Sequence, residues 1–168
     1  MRGLSAWSAV ARLRWPTVPV VNPQIVGRVF TDPSRYAVGR EKVAEFARAV
    51  SATSDIHFDV DAARAAGHRD VVAPPTFVKV VQTEAVHALV SDPDSGIDLT
   101  RHVPVHTTEK LEFSRHVVAG DELATTITVS GVSERGGVSF MNLVSDVHDQ
   151  AGEHVVTVTS SLLIGEQQ

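Results

Sequence analysis

The chain has no cysteine among its 168 residues, which removes disulfides, thiolate metal sites and a cysteine nucleophile. That fits a reducing compartment, and a cytoplasmic location is expected. Long apolar runs are missing too. Nothing approaches the roughly 20 residues a helix needs to cross a bilayer, so no membrane association is expected. Positive charge is in deficit: 15 Lys and Arg against 20 Asp and Glu leave a formal charge of -5. With no basic run either, no nucleic-acid partner is expected. Phosphate-loop patterns are absent, and Gly39 opens none. The eight histidines show no metal-ligand spacing, so no metal and no cofactor are expected. What is present, 43% hydrophobic and 21% charged residues, can build one globular core. The length suits a single domain.

The first residues stand apart. Arg2, Arg12 and Arg14 surround a short apolar stretch, Leu4 to Val10, before Trp15-Pro16. A secretory signal keeps its charges ahead of the apolar stretch, so this one is not read as a signal. Residues 1–22 are expected to form a disordered arm, or to precede a true start near Val21, with the domain occupying 23–168.

Periodicity divides that domain into a helical first half and a strand-rich second half. Val43, Phe46, Ala47 and Val50 recur at helical spacing, predicting a helix over Arg40 to Val50. Asp59 reads as the cap of an alanine-rich helix that Gly67 stops. After Pro74-Pro75, Thr76 is the expected N-cap of an apolar helix from Phe77 to Val90. Being apolar nearly all round, that helix should be largely buried. Alternation then predicts strands over Thr108 to Val117, over a run containing Thr125 to Ser130, and over Val138 to Val147 and His154 to Ile164. Gly136-Gly137 and Asp149 to Glu153 supply the turns. The expected class is α+β, with a long antiparallel sheet wrapped around one buried helix.

Three stretches carry a family resemblance: Tyr36-Ala-Val-Gly-Arg-Glu continuing to Val50; His57-Phe-Asp-Val-Asp-Ala-Ala-Arg running on to Pro74-Pro-Thr-Phe77; and His106-Thr-Thr-Glu-Lys-Leu continuing to Gly120-Asp121. Together, over about residues 24 to 165, they resemble the N-terminal-type MaoC-like dehydratase domain, a hot-dog fold. The similarity is greatest to the small subunits of mycobacterial (3R)-hydroxyacyl-acyl-carrier-protein dehydratases. The resemblance implies fatty-acid or related acyl metabolism. It also implies an acyl thioester ligand, carried on CoA or on acyl carrier protein, and no cofactor. Catalytic relatives carry Asp-x-Asn-Pro-x-His. Their Asp and His add or remove one water at the thioester, while a peptide N–H at the start of the central helix polarises its carbonyl. Such chemistry needs a base at C2, an acid for the leaving hydroxyl and a donor for the enolate oxygen.

In register with that motif stand Ala52 for the Asp, Ser54 for the Asn, Asp55 for the Pro and His57 for the His. Alanine accepts no proton, and losing one such group costs roughly 10²–10⁴-fold in rate. The favoured expectation is therefore an acyl-binding, scaffolding subunit of a dehydratase, paired with a hot-dog partner that carries the full Asp/His pair. Two alternatives stand beside it. In one, an active homodimeric hydratase uses His57 with Asp55, which share a side if the segment is extended. In the other, the chain is a non-enzymatic acyl-binding or thioesterase-like module. Pro74, Thr76 and Phe77 either flank the thioester or only begin the helix. His106 either lines the acyl cleft or ends a strand without chemistry. Asp121 reads as a turn residue.

Overall fold

The computed structural model describes residues 19–31 and 34–167. Most of the expected arm, residues 1–18, lies outside them. The packed body reaches back to Val21, which is fully buried and donates its N–H to Ser139 Oγ.

Two short strands come first, β1 (Val29–Thr31) and β2 (Tyr36–Ala37), and both pair with the later strand β4 (Glu122–Arg135). Helix α1 (Arg40–Ala49) buries Val43 and Ala47 on one side, as its spacing requires. It ends in a Schellman motif. Ala52 N–H donates to Ala47 O at 2.8 Å and Ser51 N–H to Arg48 O at 3.1 Å, around Ser51 at φ 55°. A serine in this left-handed conformation is strained. Ser51→Gly should stabilise the protein by roughly 0.5–1 kcal/mol, the strain relieved less the extra entropy glycine loses, seen as a higher urea midpoint. Helix α2 (Val60–Ala65) is capped as expected: Asp59 accepts from Asp61 N and Ala62 N, and Gly67 at φ 90° ends it.

The central helix departs from expectation in three ways. It is interrupted into α3 (Val78–Val81) and α4 (Thr83–Val90), with Gln82 between them. Hydrogen bonds still run across the interruption, from Gln82 N to Val78 O and from Val86 N to Gln82 O. Thr76 is not the cap. The chain enters through a 3₁₀ turn, Pro75–Phe77, that begins at Pro74 without a side-chain cap. Nor is the helix buried all round. Val78, Val81, Ala85 and Leu89 face the sheet, while Val86 stays exposed, because the sheet of one chain covers one side only.

Four long strands follow: β3 (His102–Phe113), β4 (Glu122–Arg135), β5 (Val138–His148) and β6 (His154–Glu166). The sheet is antiparallel in the order β1-β4-β5-β6-β3. Gly136 and Gly137, at φ 62° and 85°, turn the β4–β5 hairpin, as two residues with positive φ must. The first long strand is displaced from its expected span. It begins at His102, because β6 continues to Glu166 and offers a ladder that far, with a bulge between His106 and Thr108. Val117 and Ala119 instead bond to Ala73 and Val71, and Val118 bridges Val72, tying the β3–β4 loop to the segment before α3. The inner face of the sheet and the α3–α4 helix enclose two apolar clusters, one around Phe77, Val81 and Val158, the other around Leu89, Ile127 and Met141.

Candidate functional site

Two places carry the residues singled out by sequence. The first lies at the start of the central helix. Asp55 and His57 sit on a 3₁₀ turn, Asp55–His57, rather than on an extended segment. On such a turn, residues i and i+2 are two-thirds of a turn apart, so the two side chains diverge. No hydrogen bond joins them. His57 Nδ1 lies 2.6 Å from Val72 O. A carbonyl only accepts, so Nδ1 carries a proton. Val72 N–H returns to Ile56 O at 2.9 Å, which holds this turn two residues ahead of Pro74. Pro74 and Phe77 are buried; Thr76 is exposed. Phe77 meets Phe46 and Tyr36 edge-on, with ring centres 5.4 and 6.0 Å away. Its N–H donates to Pro74 O, and Pro75 has none to offer. Ala52, at the end of α1, presents only a methyl group.

The second place is a cavity of about 430 Å³ between the helix and the sheet. Its walls are Val86, Leu89, Val90, Ile127, Leu143 and Leu162, with Gln82, Ser145 and Ser160 among them. Such proportions, mainly apolar with a few placed polar groups, are those of a small-molecule site. His106 lines it, together with Lys79 and Thr83. Lys79 Nζ lies 2.5 Å from Glu109 Oε2 and 3.2 Å from Gln82 Oε1, and His106 Nδ1 stands 3.6 Å from the same Glu109 oxygen. A charged rim thus borders an apolar interior. The structure brings His106 to this cavity and keeps Asp55, His57, Pro74, Thr76 and Phe77 out of its lining.

Burial first, and the Lys79 ammonium second, push the His106 imidazole below its ordinary value, outweighing Glu109. The folded protein therefore holds the neutral ring. Stability from this source is present at alkaline pH and declines as pH falls from about 6.5 through the lowered value. His106→Gln should flatten that part of the melting-temperature profile between about pH 7.5 and 5, measured against the parent protein.

Sequence reading missed Lys79, Gln82, Glu109, Ser145 and Ser160. The visible sign for the serines was their inward place in the alternation, Ser145 between Leu143 and Val147, Ser160 between Val158 and Leu162. Asp121 closes a turn ahead of β4, as read, but its ion pairs were not foreseen. This residue is fully buried and bonds to Arg69, to both terminal nitrogens of Arg115 and to Val118 N–H. Arg115 reaches on to Asp149 at 2.8 Å and holds that carboxyl below its ordinary value. Among the described residues, no group of three or more potential ligands gathers to hold a metal, and no helix is long and apolar enough to cross a membrane.

A sheet curled round a helix, with a cavity between the two, defines the hot-dog class. Residues 24–158 match the family described as "FAS1-like, dehydratase domain region", and the chain belongs to that MaoC-like dehydratase family. Among its relatives, a UPF0336 protein of Clavibacter michiganensis is 50% identical over 144 residues, covering 86% of this chain and 95% of the relative. One from Streptomyces coelicolor is 40% identical, covering 85% and 94%. Of solved structures, the C-terminally truncated HadBC complex, a (3R)-hydroxyacyl-ACP dehydratase from Mycobacterium tuberculosis, contains a similar chain. It is 29% identical with a TM-score of 0.77, over 85% of this chain and 99% of that one. The R-hydratase PhaJ1 of Pseudomonas aeruginosa, at 17% identity and a TM-score of 0.66 over 88% of each chain, shares the fold.

Proposed function

We propose that this protein is the acyl-binding, scaffolding subunit of a (3R)-hydroxyacyl-thioester dehydratase in cytoplasmic fatty-acid or related acyl metabolism. A hot-dog partner would bring the complete Asp/His pair. The observation that carries the reading is a combination: a largely apolar cavity beneath the central helix, and a methyl group, Ala52, where the chemistry requires a carboxylate. The likeness to a chain of the HadBC complex supports it. The edge of the sheet supports a partner. β3 is twelve residues long, pairs on one side only among the described residues, and exposes Val103 and Val105 at 43% and 49%. A long edge strand with exposed valines at its start can take another strand alongside it. The acyl chain would lie in the cavity, with its thioester, on CoA or acyl carrier protein, held towards the partner.

The test is co-expression with a hot-dog protein bearing intact Asp-x-Asn-Pro-x-His. The pair should purify as one complex. It should hydrate crotonyl or longer enoyl thioesters on the order of 10²-fold or more faster than this chain alone. An inactive complex, or no complex, overturns the proposal. One observation favours a second reading, a hydratase active by itself: His57 is held through Nδ1 with Nε2 free. Purified chain should then hydrate enoyl-CoA, and His57→Ala should abolish it.

A further inference from the structure

The cavity contains more hydrogen-bonding capacity than an alkyl chain can use. Three hydroxyls of the sheet are buried, on Thr125, Ser145 and Ser160, and the last two line the cavity. Thr125 donates to Val81 O and Ser160 to Glu109, each at 3.4 Å. Ser145 is different. It is 3% exposed and sits in register between Ile127 and Val158, both fully buried, yet its hydroxyl has no partner among the described residues. Gln82, 2% exposed, accepts from Lys79 through Oε1 and leaves its NH₂ without an acceptor. Every fully enclosed side-chain polar atom of the described residues does have a partner. The Ser145 hydroxyl and the Gln82 NH₂ therefore open on the cavity that both residues line.

Packing alone does not call for these groups. Alanine or valine would fill the Ser145 position between two apolar neighbours at no polar cost. Water can satisfy both groups while the cavity holds solvent. An alkyl chain would displace that water and leave them unpaired, which disfavours it. A chain with an oxygen at the matching carbon restores the lost bonds, since Ser145 can donate or accept and the Gln82 NH₂ donates. Sites built to hydrogen-bond a ligand oxygen reject analogues that lack it far more strongly than apolar walls reject an extra methylene.

We infer that the cavity selects an acyl chain bearing a hydroxyl or carbonyl oxygen along its length, read by Ser145 and Gln82, in preference to a plain alkyl chain. The inference rests on the acyl-binding function proposed above. The probe is a set of twelve-carbon acyl N-acetylcysteamine thioesters, one unsubstituted and the others carrying a single hydroxyl at successive carbons. Binding to the full chain is measured by calorimetry. At least one hydroxylated isomer should bind about tenfold tighter than the unsubstituted chain, equivalent to about 1.4 kcal/mol. Ser145→Ala should weaken that isomer, tighten the unsubstituted chain and so erase the preference, and Gln82→Met should reduce it. Equal binding of all isomers, or a preference untouched in both variants, overturns the inference and leaves acyl binding standing. Failure of every thioester to bind overturns acyl binding itself, and the inference with it.

Discussion

Asp121→Ala should lower stability by about 2–3 kcal/mol, because it leaves the buried Val118 N–H without its acceptor and takes one carboxylate from the half-buried Arg115. Asp121 is fully buried and neutralises two guanidinium groups, Arg69 and Arg115, while accepting the Val118 N–H. Arg115 would keep Asp149 and the His116 carbonyl, and Val118 N–H would lose its acceptor. Measured by urea unfolding, the loss would take a large share of the 5–15 kcal/mol typical of a domain. The comparison that isolates burial is Asp70→Ala. Asp70 pairs bidentately with Arg40, whose side chain is 57% exposed, and is itself 16% exposed where Asp121 is fully buried, so water replaces more of what it offers and the loss there should be about 1 kcal/mol. Equal losses from both would show that burial does not decide the matter. The consequence reaches the site. Asp121 holds the Val117–Gly120 loop, that loop pairs with Val71–Ala73, and those residues lead straight into Pro74 and the central helix.

Ala52→Asp should raise enoyl-thioester hydration by the chain alone on the order of 10²–10⁴-fold, the range a positioned acid or base contributes. The fold leaves the change feasible. Ala52 contributes its backbone N–H to the end of α1, which aspartate also has, and its side chain is only partly buried. His57 already stands with Nδ1 fixed and Nε2 available. In hydration His57 would take the proton of the water that adds at C3, and the new carboxyl group would deliver a proton to C2. The double variant Ala52→Asp/His57→Ala should fall back to the level of the parent chain. Activity that does not rise with Ala52→Asp would mean that the site differs from a catalytic one by more than a carboxylate.

Local order was legible where one short segment contains its own reasons. The spacing of Val43 and Ala47 places α1, Asp59 caps α2, Gly67 stops it, and Gly136-Gly137 turns a hairpin, all through interactions a few residues apart. The interrupted central helix was not legible, because Gln82 is one of several polar residues in the segment and its cavity-facing side chain depends on strands that lie far along the chain. Nor was the span of β3, which follows from how far β6 extends beside it. Asp121 looked like a turn residue since its neighbours suit a turn. Its ion pairs join Arg69, 52 residues before it, and Arg115, six before it.

By itself the sequence determined the α+β class, the family and the alanine at position 52, because periodicity and motif register are properties of the chain read in order. Only the tertiary structure decided what those residues meet. It turned Asp55 away from His57 on a 3₁₀ turn, brought His106, Lys79 and Glu109 to one rim, and left Ser145 facing a cavity without a partner. The physical reason is that burial and hydrogen-bond satisfaction are set by distances across the fold, and no local spacing encodes them.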